Sequence, residues 1–286
     1  MAVLYGCTHV DEKYSALLEP NLYYNGVFAD GKTFTSKYEV GPAGGIYVHK
    51  LNTNAVAVGT PGRDFTDELT TDELIPIIMN NNYQKSKKLY GVQAEAIEAD
   101  VADGLIEDAT AEIAESVQAS GLACLVSEAG TTASTTGAVT TANIKKLVLA
   151  DRKAIVKAKG KADVILMSPD TFATLLEASG SEYTPVANDA VNATGQVGKW
   201  LGFDVYECAG LSATSGSYYN SNGSLTTATF TAVDYIMYNH EALSIIPNFE
   251  RSRVIDSENF NGVKAQVEMN MGFKVTSPAQ VVAKKH

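Results

Sequence analysis

YGVQAEAIEADVADGLIEDATAEIAESVQ, residues 90–118, is the stretch on which the fold turns. Ile97, Val101 and Leu105 recur along one row, and Ala102, Ile106, Ala109, Ile113 and Val117 along the adjoining one. That spacing is helical, not extended. At about 1.5 Å per residue it predicts a helix of about 40 Å over 90–118, longer than most helices of a compact domain and suited to act as a spine. Glu95, Glu98, Asp100, Asp103, Glu107, Asp108, Glu112 and Glu115 lie along it, with no Lys or Arg between them to form intrahelical pairs. Two readings stand: a solvated acidic face, or a face met by something basic. Candidates for the second are Lys85, Lys87 and Lys88 just upstream, or cations of a neighbouring copy.

Upstream of the spine, residues 34–79 read as a long β-excursion. GGIYVHK (44–50), AVAV (55–58) and ELIPIIM (73–79) are its runs, with the turn-prone Gly59-Thr60-Pro61-Gly62 between the second and third. Its apolar faces are too thin to make a core alone, so it needs a surface to lie on. Before it, residues 1–25 are aperiodic and aromatic, more an arm than a packed element.

Downstream, the Thr-, Ser-, Ala- and Gly-rich 130–141 is a linker. A helix follows on Ile144, Leu147, Val148, Ala154 and Ile155, closed by Gly160; then a strand, Val164–Met167. Ser168 caps a further helix with Pro169 at its first position, Phe172, Leu175 and Leu176 facing inward and Gly180 at its end. Residues 201–206 read as a strand and 212–227 as an exposed loop whose deletion should leave folding and assembly intact. Strands over 232–238, 265–275 and 281–283 end the chain, the last two separated by Ser277-Pro278. The fold class is α+β.

Bulk properties narrow the function. The chain has 286 residues, of which 45% are apolar and 19% charged, the balance of a folded protein. No stretch reaches the roughly 18 apolar residues of a membrane span, and the first residues lack the pattern of a secretion signal. A net charge of −11 disfavours sequence-specific nucleic-acid binding, while an acidic wall would keep enclosed DNA from sticking. Cys7, Cys124 and Cys208 are too few and too far apart for a disulfide framework or a close-spaced zinc site. Catalytic motifs are missing too. Gly195-Gln196-Val197-Gly198-Lys199-Trp200 has the wrong spacing for a phosphate loop, there is no Gly-x-Ser-x-Gly elbow or His-Glu-x-x-His pair, and the four histidines are scattered. Asn192-Ala193-Thr194 and Asn222-Gly223-Ser224 are chance sequons, and the acids Asp163 and Asp170 show no partner of opposed role. No cofactor or metal site is read.

The order of arm, β-excursion, acidic spine, α/β unit and returning strands resembles the major capsid protein fold of tailed phages, which encapsulin shells share. Three segments carry the likeness: 74–117, where NYQKS (82–86) leads into the spine; 162–210, with VILMSPDTF (164–172) and then KWLGFDVY (199–206); and 232–282, with NHEAL (239–243) and MGFKV (271–275). The resemblance implies an N-terminal arm over 1–30 and an extended β-hairpin E-loop over 31–76, both lying on neighbouring subunits. It further implies a peripheral domain from 77–125 and 232–275, and an axial domain from 126–231 and 276–286. The function implied is a structural subunit, not an enzyme, that forms hexamers and pentamers of an icosahedral head around double-stranded DNA. Many modest contacts repeated over a closed shell stabilise it collectively. A separate scaffolding protein, a portal and decoration proteins are the implied partners, and the virion, assembled in the host cytoplasm, is the location. Some members of the family join an E-loop Lys to an Asn of a neighbour with a Glu as base; Lys50, Asn261 and Glu268 lie in the corresponding regions.

Two other readings remain at this point. An encapsulin-like compartment shares the fold, but residues 1–24 lack the amphipathic period of a cargo-docking helix. A mixed α/β enzyme would need an unrecognised site around Cys124 or His240.

Overall fold

The computed structural model describes residues 26–28, 31–38, 45–51, 72–91, 101–131, 133, 137–179, 183–185, 196–256, 259 and 261–286. The arm over 1–25, the strand at 55–58 with its following turn, the sequon at 192–194 and the acids Glu95, Glu98 and Asp100 fall outside these residues.

The spine helix, α1, runs Val101–Ser127, nine residues past the expected end, while Tyr90 belongs to strand β3, Asn81–Tyr90. Both corrections have a physical cause. Residues 120–126 are buried all round, so the amphipathic period that marks a surface helix fades there although the helix continues. Gly121 admits the segment at Phe28, whose ring atom would lie 2.6 Å from an added Cβ. Strand β3 hid because the positions that face the helix are Tyr83, Lys85, Lys87 and Leu89, and two lysines break the apolar alternation.

Strand β3 pairs antiparallel with β12 (Gly262–Val275), which pairs antiparallel with β11 (Leu243–Asp256). The spine lies across this three-stranded sheet, with Ala109, Ile113 and Val117 in one core with Val267, Met271, Tyr83 and Met269. Strand β11 escaped the sequence reading because Pro247 and the polar run Glu250–Arg253 disrupt its alternation; a register shift between Pro247 and Phe249 absorbs the proline.

A ribbon of β1 (Gly45–Leu51) and β2 (Asp72–Ile78), antiparallel, realises the first and third runs of the expected excursion. One face packs Val48, Ile75 and Ile77 with Met79 against Ile246. Gly272 of β12 is the enabling residue: a Cβ there would meet the Met79 sulfur at 2.5 Å.

The second sheet has the order β13-β10-β4-β7-β6-β5, comprising Val281–Lys285, Val233–Tyr238, Val164–Met167, Phe203–Glu207, Gln196–Trp200 and Thr184–Pro185. β4 and β7 are parallel and the other pairs antiparallel. Helices α2 (Ile144–Lys157) and α3 (Pro169–Ser179) form one core with Trp200, Phe203, Tyr235 and Met237. Leu122 and Leu125 of the spine share the other core with Leu166, Tyr206, Ile236 and Tyr238. Central strands β4 and β10 are thus buried along their whole length, which is why β4 reads as a continuous apolar run and β10 as one broken only by Asp234. Ser168 caps α3 as expected, its hydroxyl accepting the Thr171 amide hydrogen at 3.3 Å. Leu201 and Gly202, expected in a strand, instead form the two-residue turn between β6 and β7; both have positive φ, 50° and 86°, as a type I′ hairpin requires.

The expected exposed loop at 212–227 is largely a β-hairpin, β8 (Ser215–Tyr219) with β9 (Leu225–Thr229), packed on the spine. Tyr218 and Ala228 are buried, and an added Cβ on Gly216 would lie 2.4 Å from the Ala119 carbonyl oxygen. Ser120 donates to the Ser217 carbonyl at 2.8 Å, and Tyr218 donates to Glu128 at 3.1 Å. Its Ser-, Gly- and Thr-rich composition marks the outward half of a two-faced ribbon, and the inward half is structural.

Candidate functional site: surfaces for assembly

Lys85 and Lys87 of β3 answer the question raised by the acidic spine. Lys85 pairs with Glu112, and Lys87 with Asp108 and, at 2.8 Å, with Glu112. All three of Lys87, Asp108 and Glu112 have side chains a quarter exposed or less. The two lysines hold the Glu112 carboxyl below the usual carboxylate range, Lys85 most of all. The basic partner of this stretch is therefore the chain's own sheet.

The outer face of that sheet is polar. Arg251, Glu268 and Gln84 stand in one cross-strand row, and Arg253, Gln266 and Ser86 in the next. They line a shallow groove of about 470 Å³ in which Arg253 donates to Gln266 at 2.8 Å. The groove is mixed in charge, because the two arginines share it with Glu268, whose carboxyl they help to hold below its ordinary value after Asn82 and Gln84.

Of the expected crosslink residues, Lys50 is exposed on β1, its ammonium 3.5 Å from the Thr276 carbonyl oxygen. Asn261 is exposed at the start of β12, its carbonyl accepting the Gly91 amide hydrogen. Glu268 accepts from Asn82 at 3.0 Å and Gln84 at 2.9 Å, which holds its carboxyl below the ordinary value. Seven residues of strand separate Asn261 from Glu268, about 23 Å at 3.3 Å each. One protomer does not bring the two together.

The residues of the enzyme reading are structural in their surroundings. Cys124 is fully buried and burial pushes its thiol well up; Cys208 is pushed up to about 11 by the same cause. His240 sits beside Asp163, Nδ1 to Oδ2 at 2.5 Å, and the same carboxylate accepts the His240 amide hydrogen at 2.9 Å. Asp163, read from sequence as an acid without a partner, thus fastens the turn after β10. Among the described residues no cluster of three His, Cys, Asp or Glu side chains could hold a metal ion, and no helix is long and apolar enough to cross a membrane.

The sequence reading missed the exposed apolar face of the β1–β2 ribbon. Tyr47 is 64% and Leu74 53% exposed, opposite the face that packs on β11 and β12. Alternation in the runs 44–50 and 73–79 carried that signal. A ribbon one strand pair wide with apolar groups on both faces is built to be covered.

The sequence matches the family model described as phage capsid protein over residues 85–283. No curated protein matches it. Solved structures share the fold at low identity. The capsid structure of the cyanophage P-SCSP1u is 13% identical with a TM-score of 0.69, covering 99% of this chain and 93% of that one. The mature capsid of bacteriophage PhiM1 is 14% identical with a TM-score of 0.67, covering 96% and 91%. A chain of Mycobacterium phage Che8 is 13% identical with a TM-score of 0.67, covering 95% of each. The family match spans more than two thirds of the sequence, and with it the chain belongs to the phage capsid protein family, as a structural subunit of a phage capsid.

Proposed function

We propose that the chain assembles through hexamers and pentamers into an icosahedral shell that encloses double-stranded DNA, held by repeated contacts between copies and without sequence-specific DNA binding. The observation that carries this reading is the β1–β2 ribbon, which leaves Tyr47 and Leu74 in solvent, where a neighbouring copy would complete their burial. In this assignment residues 1–30 form an arm and 31–76 an E-loop. The spine with 77–125 and 232–275 forms a peripheral domain, and 126–231 with 276–286 an axial domain. Assembly takes place in the host cytoplasm with a separate scaffolding protein, a portal and decoration proteins as partners. Negative-stain microscopy of the purified protein, alone and with a co-expressed scaffold, tests it. Closed shells, or tubes and rings of hexamer-like units, are expected; discrete monomers under both conditions would refute it.

Covalent joining of neighbours through Lys50, Asn261 and Glu268 is part of the proposal. The Lys50 amine would attack the Asn261 side-chain carbonyl carbon, forming an isopeptide amide and releasing ammonia, with Glu268 taking the amine's proton. What supports it is exposure of Lys50 and Asn261, and a separation along β12 that requires groups from different subunits. Glu268 would have to release one of its two amide donors to act. A denaturing gel of assembled shells reads the result: a covalent ladder that Lys50→Arg abolishes supports joining, and a single monomer band rules it out.

A further inference from the structure

Helix α2 is unlike the rest of an acidic chain. Seven of the 22 lysines and arginines fall within residues 145–161, so the positive charge is gathered there and not dispersed. At roughly 100° per residue, Lys145, Lys146, Leu149, Arg152, Lys153, Val156 and Lys157 share an arc of roughly 140°. The opposite side holds Ile144, Leu147, Val148 and Ile155 in the core. The helix's single acid, Asp151, is fully buried and accepts from the Tyr235 hydroxyl at 2.6 Å, on the side of the helix away from the basic arc. Down the middle of the basic arc run two exposed apolar side chains, Leu149 at 41% and Val156 at 58%. Cations flank them on both sides. An apolar centre with a charged rim is the layout of a protein interface, whereas a surface meant only for phosphates has no use for the centre.

The neighbouring helix α3, built against the same side of the sheet, presents the complement. Its exposed side chains include Asp170, Leu176 (48%) and Glu177, and it contains no Lys or Arg. We infer that α2 of one copy docks against α3 of the next: Leu149 and Val156 meet Leu176, and the lysines flank Asp170 and Glu177. Different surfaces of one chain then meet head to tail, the arrangement that closes into rings. The inference rests on the ring-forming shell proposed above and names the surfaces that form the ring contact.

Charge reversal tests it with the full chain. Lys145→Glu with Lys153→Glu should abolish rings and shells, as should Asp170→Lys with Glu177→Lys, and the four changes in one chain should restore assembly to within a few-fold of the original. Co-purifying the two reversed chains should give alternating rings with even membership, so hexamers form and pentamers do not. Far-UV circular dichroism and melting temperature establish that each variant folds. Should a charge variant fail to fold, Val156→Cys with Leu176→Cys replaces it. Mild oxidation is then expected to give a covalent ladder up to the ring, and neither single cysteine gives one. Folded reversed variants that assemble like the original, no recovery in the fourfold variant, or an assembled double-cysteine chain without a ladder would each overturn the contact. Normal assembly of the α2 variant would assign the basic face to a polyanion instead. An unaltered chain that never assembles would sink the shell reading itself, and this inference with it.

Discussion

Lys87→Met is the sharpest probe of how the spine is fixed to its sheet. The substitution keeps most of the apolar stem and removes the ammonium that contacts both Asp108 and Glu112. Exposed pairs contribute about 0.2–1 kcal/mol, and breaking a fully buried pair costs about 3–5 kcal/mol. These side chains are about one sixth to one quarter exposed, so the loss should be about 1–3 kcal/mol. An unfolding entropy of about 2.1 cal/mol/K per residue over the chain length turns that into a fall in Tm of about 2–5 °C. The assay is thermal melting followed by circular dichroism, run in about 0.05 and 0.5 M salt. The loss should persist in salt, because part-buried pairs are weakly screened. A double-mutant cycle with Glu112→Gln should show a coupling of about 0.5–3 kcal/mol. A Lys87→Met protein as stable as the original would refute the ionic clamp and leave the apolar contacts alone to hold the spine.

The same cluster sets a pH response. Glu112 has its folded pKa depressed below an ordinary 4.5, so its contribution is complete above that value and is lost as pH falls through the lower, folded value; the gap between Lys87→Met and the original should narrow there. Deleting 215–229 should yield insoluble or unfolded protein, and recovery of a soluble, folded chain would return the hairpin to the status of a free loop. Phe230→Ala removes a fully buried ring from the larger core and should cost about 3–5 kcal/mol, read as a Tm lower by roughly 5–8 °C. Cys124 and Cys208 should stay inert to a thiol reagent at neutral pH until the chain unfolds; rapid reaction in the folded protein, lost on Cys124→Ser, would reopen the enzyme reading.

Much of this architecture was legible where one physical signal dominates. The spine's 3.6-residue period, the cap at Ser168-Pro169 and the apolar run Val164–Met167 each reflect a single local rule, and each reappears in the structure. Elements whose pattern is set by a distant partner were harder. Strand β3 carries lysines on its inner face because the helix opposite carries acids. The last turns of α1 lose their polar face because the second sheet and the β8–β9 hairpin surround them. β11 is masked by Pro247 and its bulge. At the assembly surface, sequence found the β-excursion and its need for support, and the structure added which face is covered within the chain and which is left for a neighbour.

The most direct test of the account is sedimentation velocity on the purified chain over a range of concentrations, with and without a co-expressed scaffold. Fast-sedimenting shells or ring-sized oligomers, growing at the expense of monomer as concentration rises, are the predicted result. A folded protein that sediments as a single monomeric species throughout would contradict it.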